Sequence, residues 1–407
     1  MGLFKVASFA ALAAWTSLVF ARGRFWEAPA DELPEPPRPF KEAPRIHAVV
    51  PARNEASVLA RTLPTLLNQR ELAAFDITLV DDHSEDATAD VARSIAAAHP
   101  SGARLSIVAA GPRPQGWTGK VWALHEGVRA ALARRGAPDY WLFTDADVAH
   151  DPESAVALAA KAVGDRRDLV SLMVRLHCSS PWERLLIPAF VFFFRKLFPF
   201  RWVNDDREPT AAAAGGCILI SHEMLMQIGG LDRIASAVID DCALASAVKR
   251  GGGRLWLGLS TRLESVRPYA SLEELWAMVA RSAYAQLGYS RINLAATVAG
   301  MSLLYFVPPI ATLCGALRRD RILSATGAAA WAMMSSSYLP TLKLYRRPPL
   351  AALALPVASL LYTLMTIDSA LRYESGIGNT WKGRALNGKS SGPSSSATPP
   401  TSAAHRR

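Results

Sequence analysis

Cysteine is scarce in this chain, and the spacing of the cysteines matches no known paired motif. The only four among 407 residues are Cys178, Cys217, Cys242 and Cys314. They are too far apart for a CxxC metal pair and do not form the dense set of a disulfide framework. The sequence is therefore typical of a protein that faces the reducing cytosol.

Two common nucleotide-binding signatures are also missing. No GxGxxG follows the first strand-like segment, and no GxxxxGK[ST] occurs. Without these glycine patterns, the sequence does not predict either of the two phosphate-binding loops that they encode. No internal repeat is apparent either.

The net charge of +10 does not indicate a nucleic-acid partner. Many of the cations stand beside apolar segments, namely Arg318, Arg319, Arg321, Lys343, Arg346 and Arg347. Basic residues in such positions favour the anionic surface of a bilayer. We therefore expect a membrane partner and no nucleic acid.

Long apolar runs lie at both ends of the chain. The first, VASFAALAAWTSLVFA, lies within residues 1–21 and is followed by Arg22 and Arg24. It is close to the roughly 20 residues that cross a bilayer, and the alternative is a cleaved signal peptide. Three further apolar segments begin at Asn293, Ile322 and Leu350, and we expect them to lie in the membrane.

Composition divides the chain into five parts. A proline-rich stretch separates the first apolar run from an α/β region, and a Ser/Pro-rich tail follows the last apolar segment. The predicted parts are an anchor at 1–24, a stiff linker at 25–45, an α/β domain at 46–290, membrane or re-entrant helices at 291–373, and a tail at 374–407 that is disordered from about 388.

The region after residue 46 alternates short β-rich runs with helical stretches. The runs are IHAVV, DITLV, RLSIVAA and YWLFT, and the helices lie near 57–69, 85–98 and 120–133. This alternation predicts an α/β fold with a mixed, mostly parallel sheet.

Two later segments of this region, 189–202 and 271–287, are predicted to be helical or interfacial. The aromatic stretch 189–202 is either an interfacial segment, with Arg195, Lys196 and Arg201 toward head groups, or a buried core helix. Residues 271–287 predict one helix, with Ser271 as N-cap and Glu274 completing a capping box.

Acidic residues follow three of the predicted strands. The strands end in PARNE (51–55), DDHSED (81–86) and DAD (145–147). Each aspartate alone is an ordinary turn residue, but carboxylates gathered at one sheet edge repel one another unless a cation lies between them. If the extended geometry continues, Asp145 and Asp147 face the same side, which suits Mg²⁺ or Mn²⁺.

Three further motifs could contribute to a site. Lys120 begins a helix, where its ammonium could meet a phosphate, or it is an ordinary solvated lysine. Gly215 and Gly216 allow close approach of a ligand, or simply a tight turn. Asp240 and Asp241 begin an amphipathic helix, either as dipole-favoured acids or with one of them as a general base.

In order and spacing, these motifs resemble the family 2 glycosyltransferases with a GT-A fold. VVPARNE, LVDDHSED, TDAD and IDD are similar to that family's strand-end and acidic motifs over about 46–289. GWTGKVWALHEGV, GLDRI and ARSAYAQLGYS look closest to membrane enzymes associated with hopanoid biosynthesis, and more distantly to ceramide glucosyltransferases.

The resemblance implies a role for each matching residue. Asp147 would bind the metal and Asp241, beside Asp240, would be the base. A nucleotide-diphosphate sugar donor would contact Pro51, Arg53, Glu55, Asp81, Asp82, Lys120 and Asp145. The acceptor side would include Gly215, Gly216, Arg281 and Tyr284. The last two are stand-ins, because processive and some lipid-directed members carry a QxxRW or RxxRW element, of which this helix keeps Arg281 but lacks the following Arg-Trp.

The implied activity is inverting transfer of one sugar to a hydroxyl of a membrane lipid. The alternatives are a saccharide synthase of the same family and a non-catalytic membrane scaffold. Arg22 and Arg24 place the catalytic domain at the cytoplasmic face, as in a bacterial inner membrane. For the C-terminal part, the arginine positions favour a re-entrant hairpin broken at Pro308 and Pro309 over three straight spans.

Overall fold

An eight-stranded mixed sheet forms the centre of the α/β unit. The computed structural model describes residues 2–29, 33, 35, 43–72, 74–376, 380–381 and 384–385. Most of the proline-rich linker and the tail predicted to be disordered lie outside these residues. The strands are β1 (Arg45–Ala52), β2 (Ala74–Asp81), β3 (Leu105–Ala109), β4 (Tyr140–Thr144), β5 (Val148–His150), β6 (Leu169–Arg175), β7 (Cys217–Ser221) and β8 (Leu255–Ser265), with a separate two-stranded ladder of β9 (Thr380–Trp381) and β10 (Arg384–Ala385).

The strand order is β3-β2-β1-β4-β7-β6-β8-β5. β1 pairs in parallel with β2 and β4, β2 with β3, and β6 with β8, while β7 runs antiparallel to β4 and β6. The central strands are buried along nearly their whole length, as expected where helices cover both faces. The predicted mixed, mostly parallel α/β sheet is confirmed.

Helices cover this sheet and continue into a second, apolar layer. Those of the α/β unit are α2 (Ala56–Leu67), α3 (Thr88–Ala98), α4 (Gly119–Arg135), α5 (Ser154–Gly164), α6 (Pro181–Leu197), α7 (Phe200–Asn204), α8 (His222–Gln227), α9 (Asp240–Arg250), α10 (Leu272–Ala280) and α11 (Ala283–Gln286). The apolar layer comprises α1 (Gly2–Ala21), α12 (Arg291–Met301), α13 (Val307–Leu317), α14 (Arg321–Leu344) and α15 (Leu355–Glu374).

The single helix predicted over 271–287 is instead two helices. Ser271 is the N-cap of α10, as expected, but the helix ends at Ala280 and α11 begins at Ala283. The Glu274 carboxylate accepts the backbone amide of Ala270 at 2.9 Å, one residue outside the expected capping box.

The aromatic stretch lies mostly in α6, which is buried, so the core-helix alternative is correct there. Arg195 is buried, and its Nη1 donates to Thr341 Oγ1 at 3.4 Å. Lys196 Nζ donates to Tyr305 Oη at 2.7 Å. The expected orientation toward head groups is therefore wrong for both side chains. Arg201 is exposed and pairs with Glu27 at 3.4 Å.

Among the described residues, three helices are long and apolar enough to cross a membrane: α1, the helix from Arg291 to Leu317, and the helix from Pro349 to Glu374. The apolar segment beginning at Ile322, which we expected to be a span, is not among them. It forms the 24-residue α14, in which serine, threonine and glycine dilute the apolar character.

Pro308 and Pro309 do not break the chain into a hairpin. α12 and α13 are joined by a π-helical turn at Ser302–Phe306, so the helix is continuous. Proline has no N–H to donate to the carbonyl four residues earlier, and for Pro308 that carbonyl belongs to Leu304. The indole Nε1 of Trp15 donates to the Leu304 carbonyl at 2.8 Å instead.

The α13–α14 turn lies at the N-terminal end of α1. Lys5 Nζ is 2.7 Å from Asp320 Oδ2, and Ser8 bonds Thr326 at 2.8 Å. At the other end of α1, Arg22 donates to the Lys196 carbonyl of α6. The α/β unit and the α13–α14 turn therefore lie at opposite ends of α1, contrary to the hairpin prediction.

Both ends of α15 contact the α/β unit. Two turns into the helix, Tyr362 Oη donates to the Leu186 carbonyl of α6 at 2.9 Å. At its end, Glu374 pairs with Arg291, and Ser369 Oγ accepts the Tyr284 amide at 3.1 Å. α15 thus begins and ends on the side of the sheet rather than at the Lys5–Asp320 end.

Candidate active site

A pocket opens where β1 and β4 end, next to the start of β7 and the first turns of α4 and α9. It is lined by Pro51, Lys120, Leu124, Phe143, Thr144, Asp145, Gly215, Ile218, Leu231, Ile234, Asp240, Asp241 and Leu244. Ligands of open α/β sheets bind at such strand ends. Six of the residues singled out in the sequence meet here: Pro51, Lys120, Asp145, Gly215, Asp240 and Asp241.

Lys120 is the cationic centre of this pocket. Its Nζ lies 2.8 Å from Asp145 Oδ1, 3.6 Å from Asp240 Oδ2 and 3.5 Å from the Gly215 carbonyl oxygen. Burial alone would lower the pKa of Lys120, but Asp145 and Asp240 raise it above its usual range. The ammonium therefore stays charged and links the end of β4 to α9.

Asp241 is held by two backbone amides. Its Oδ2 accepts from Gly215 N at 2.8 Å and its Oδ1 from Cys242 N at 2.7 Å. Burial and the neighbouring Asp240 raise the pKa of the Asp241 carboxyl to about 6, while Lys120 opposes this shift. A carboxylate with a raised pKa is a stronger base, and it loses its proton near neutral pH.

Gly215 is needed for this close approach. A Cβ at this position would lie 3.1 Å from both Asp241 Oδ2 and Lys120 Nζ. At Gly216 a Cβ would instead meet the Val174 methyl groups at 3.0 and 3.2 Å. Gly215 therefore serves the pocket, whereas Gly216 serves packing under it.

Asp147 does not share the environment of Asp145. β4 ends at Thr144 and residues 145–147 turn, with the Val148 amide donating to the Asp145 carbonyl at 3.2 Å. The expected extended geometry is therefore absent. Asp147 Oδ2 accepts instead from Ser265 Oγ at 2.9 Å and from Arg267 Nε at 3.2 Å.

Arg267 and Ser265 were missed in the sequence. Arg267 also donates to the Glu55 carboxylate, so it links the end of β1 with the end of β4. Ser265 is the last residue of β8 and Arg267 lies two residues beyond it. The sequence pattern did not predict the strands of this region, so the one available signal was an arginine just past the end of a strand.

The carboxylates are thus interleaved with the protein's own cations. Lys120 and Arg267 neutralise charges for which a metal seemed necessary, and the described residues contain no group of three or more His, Cys, Asp or Glu side chains arranged for a metal. Mg²⁺ and Mn²⁺ are commonly held by one or two carboxylates together with substrate phosphates. Asp147 fits that arrangement, but the residues do not form an all-protein metal centre.

The loop after β2 is supported from below by Arg53. This side chain is 4% exposed, and its Nη1 donates to the carbonyls of Asp82 and His83 at 2.8 and 2.9 Å. Asp82 is fully buried, and Asp81 Oδ1 caps the loop by accepting from the Ser84 amide. Arg53 therefore shapes this loop, and the expected donor contacts of Arg53 and Asp82 stay a prediction.

The two acceptor-side stand-ins lie in different environments. Tyr284 is 1% exposed and packs edge-on against Tyr289 and Tyr373, so its expected place in the site is wrong. Arg281 lies at the break between α10 and α11. Burial and Asp147 raise the pKa of Tyr269, while the charge of Arg281 lowers it. Arg281 does not line the pocket at Lys120.

Comparison with known proteins adds a family and a fold. A family model described as glycosyltransferase-like family 2 matches residues 44–285. No curated protein matches the sequence.

Many solved structures are similar to the chain, and three of them illustrate the likeness. The mannosyltransferase PcManGT from Pyrobaculum calidifontis, in complex with GDP-Man and Mn²⁺, is 19% identical over 90% of this chain and 99% of its own, with a TM-score of 0.52. A mycobacterial protein is 18% identical over 61% and 75%, with a TM-score of 0.41. Glucosyl-3-phosphoglycerate synthase from Mycobacterium tuberculosis, with Mn²⁺, UDP and phosphoglyceric acid, is 18% identical over 62% and 82%, with a TM-score of 0.40. The first of these likenesses shows the GT-A fold.

Proposed function

The chain belongs to the glycosyltransferase family 2-like proteins, and from this we propose that it transfers one sugar from a nucleotide-diphosphate sugar to a hydroxyl of a membrane lipid. One observation carries the proposal. Asp241, seated by Gly215 and with a raised pKa, lies beside the Lys120–Asp145 pair in a pocket at the strand ends. A base and a cation are thus poised around one site.

The donor would occupy the pocket at the ends of β1 and β4. Pro51 lines it, and the loop held by Arg53 borders β1. Lys120 would turn its ammonium toward the diphosphate, since the charge held on it by two aspartates suits an anion. Asp145 would then be released from Lys120 to face the nucleotide.

Asp241 would act as general base. The acceptor oxygen attacks the anomeric carbon while the bond from that carbon to the diphosphate breaks, which inverts the configuration. Asp241 takes the hydroxyl proton as the new bond forms. Its two amide hydrogen bonds hold the carboxylate in place throughout.

A divalent cation also has a place in this proposal. Asp147 would hold Mg²⁺ or Mn²⁺ together with the donor diphosphate, and the ion would supply charge neutralisation to the leaving group. Arg267 pairs with Asp147 in this structure, so its side chain would have to move away for the cation to bind.

The acceptor would reach the site from the apolar layer. α10 contacts α15 through Trp276 Nε1, which donates to Asp368 Oδ2 at 2.6 Å, so the catalytic unit rests directly on helices apolar enough to span a bilayer. This supports a lipid acceptor, for which we propose a hopanoid or a similar polycyclic or sphingoid lipid. We also propose that the catalytic unit lies on the cytoplasmic face.

The test uses the full-length protein in lipid nanodiscs. Nucleotide release from a panel of nucleotide-diphosphate sugars is measured with and without hydroxylated lipids, and the lipids are examined by mass for one added sugar. The proposal expects a single addition that Asp241→Asn abolishes. Products that elongate would favour a saccharide synthase, and absence of lipid-dependent nucleotide release would contradict the proposal.

A further inference from the structure

A second, larger groove lies away from the pocket at Lys120. It has a volume of ≈ 1340 Å³ and is bounded by the segment after α1, the C-terminal end of α14 and the edges of β6 and β8. Its lining includes Trp26, Arg175, Leu339, Lys343, Arg346 and Arg347. Nothing in the proposed transfer reaction uses it.

The groove has an excess of positive charge. Its one lining carboxylate, Glu27, already pairs with Arg24 at 3.1 Å and Arg201 at 3.4 Å, and Arg175 pairs with Glu264 at 2.6 Å. Its other three cations form no ion pair with any residue that the structure describes. They are Lys343, Arg346 and Arg347.

Arg347 is the best placed of the three. Its side chain is half-buried, and its Nε is shielded from solvent without a hydrogen-bond partner among the described residues. A buried guanidinium N–H without a partner is unfavourable. The Nε itself is closed to solvent, but Arg347 also lines the groove. Guanidinium groups match phosphate oxygens in pairs, so its other nitrogens can bind a phosphate there.

With α1 across a bilayer, the groove would lie at the depth of the lipid head groups. α1 has the length of a bilayer crossing and ends at Ala21, and Trp26 folds back so that its indole donates to the Val19 carbonyl at 2.9 Å. Just past Pro349, which lines the groove, Leu350 and Leu353 are 78% and 51% exposed. Tryptophan, basic residues and exposed leucines together are typical of the membrane interface.

We propose that this groove binds the phosphate-bearing head group of an anionic membrane lipid, with its acyl chains along the exposed leucines. Such basic pockets between membrane helices suit anionic head groups. The bound lipid would seat the α/β unit on the bilayer next to the end of α1. The proposal rests on α1 crossing the membrane, but not on the identity of the sugar, the acceptor or the catalytic base.

The test compares two triple variants of the full-length protein that remove equal charge. Lys343→Gln/Arg346→Gln/Arg347→Gln changes the groove, and Arg318→Gln/Arg319→Gln/Arg321→Gln changes the basic turn at the opposite end of α1. Each protein is incubated with mixed phosphatidylglycerol and phosphatidylcholine, and retained lipids are counted by native mass spectrometry. Because each interfacial cation contributes about fivefold, the groove variant should retain at least tenfold less phosphatidylglycerol, and the turn variant should match the wild type.

Two further measurements keep the outcome clear. Arg346→Gln alone, at an exposed position, should lower retention by about fivefold without changing the melting temperature, which separates binding from folding. Glycerol phosphate at millimolar concentration should not displace the lipid. Equal loss in both triple variants, no preference for phosphatidylglycerol, or full displacement by glycerol phosphate would each overturn the proposal. Donor binding on the same preparations should stay unchanged.

Discussion

Arg267 bridges two carboxylates that end different strands: it donates to Glu55 after β1 and lies 3.2 Å from Asp147 Oδ2 after β4. Both carboxylates are largely buried, so the bridge is screened less than a surface pair. The protein thus supplies its own cation at the position proposed for a metal. A metal held by Asp147 would have to compete with Arg267 for the same carboxylate.

Removing Arg267 should tighten metal binding in the absence of donor. In Arg267→Met, Asp147 loses its cationic partner, and Mn²⁺ affinity should rise roughly fivefold, on the order of 1 kcal/mol for a partly exposed pair. The measurement is titration of the protein with Mn²⁺, followed by the electron paramagnetic resonance signal of the free ion. Arg262→Met, on β8 but outside the bridge, is the control. Weaker Mn²⁺ binding in Arg267→Met would show that Arg267 organises the site rather than competing for it.

Asp241→Asn should abolish transfer while leaving donor affinity nearly intact. The amide keeps the shape of the side chain but cannot accept a proton, and loss of a general base costs about 10²- to 10⁴-fold in rate. Steady-state rates and calorimetric donor binding are measured together. The control is Asp232→Asn, because Asp232 is exposed and lies outside the pocket lining. It should leave both the rate and the donor affinity unchanged. Turnover that survives in Asp241→Asn would remove Asp241 from the role of base.

The rate of transfer should fall as pH drops through about 6. Burial and Asp240 raise the pKa of Asp241 to about 6, and only the deprotonated form can accept a proton, so activity is present above this pH and lost below it. In Asp240→Asn the neighbouring negative charge is gone, and the acidic limb should move to lower pH. A pH–rate profile of both proteins checks the shift; an unmoved limb would mean that another group controls it.

Trp15→Phe should destabilise the protein more than Trp331→Phe. The first change leaves the Leu304 carbonyl without its donor, at a cost of about 1–3 kcal/mol for a buried acceptor. The indole Nε1 of Trp331 is buried but bonds no described residue, so its removal breaks no hydrogen bond. Thermal unfolding in detergent compares the two variants. Equal losses would indicate that ring packing, rather than the hydrogen bond, accounts for the effect at Trp15.

The tail should lie on the same side of the membrane as the catalytic unit. α15 begins and ends against the α/β unit, and Glu374 at its end pairs with Arg291. In a background without native cysteines, Ser390→Cys should therefore react with an impermeant maleimide only when the reagent has access to the side of the membrane that carries the catalytic unit. Arg319→Cys, in the turn beside Lys5, should show the opposite pattern. The same pattern at both positions would contradict this topology.

Local sequence patterns were sufficient for much of the α/β unit. The four expected strands and the three helices between them formed, because alternation of apolar residues and strand-ending acids are properties of short segments. The meeting of Lys120 and Asp145 was likewise predictable, since parallel strands end at one edge. Asp241, which begins a helix after the antiparallel β7, was placed with them only by the family resemblance.

Other features depend on contacts that no local pattern contains. Asp147 left the side of Asp145 because the chain turns after Thr144, and its partner Arg267 is 120 residues away in sequence. The expected hairpin failed for a similar reason: the carbonyl opposite Pro308 has its donor in Trp15, 289 residues earlier. In each case a distant side chain supplied what the local sequence lacked.

The bond between Trp15 and Leu304 also sets an order of assembly. α1 is synthesised long before α13 and α14, so its indole, Ser8 and Lys5 stay without these partners until the chain past Thr326 has been made. A helix that is made early therefore forms some of its contacts late. An unrelated apolar helix of equal length would lack these three side chains and could not form the same contacts with α13 and α14.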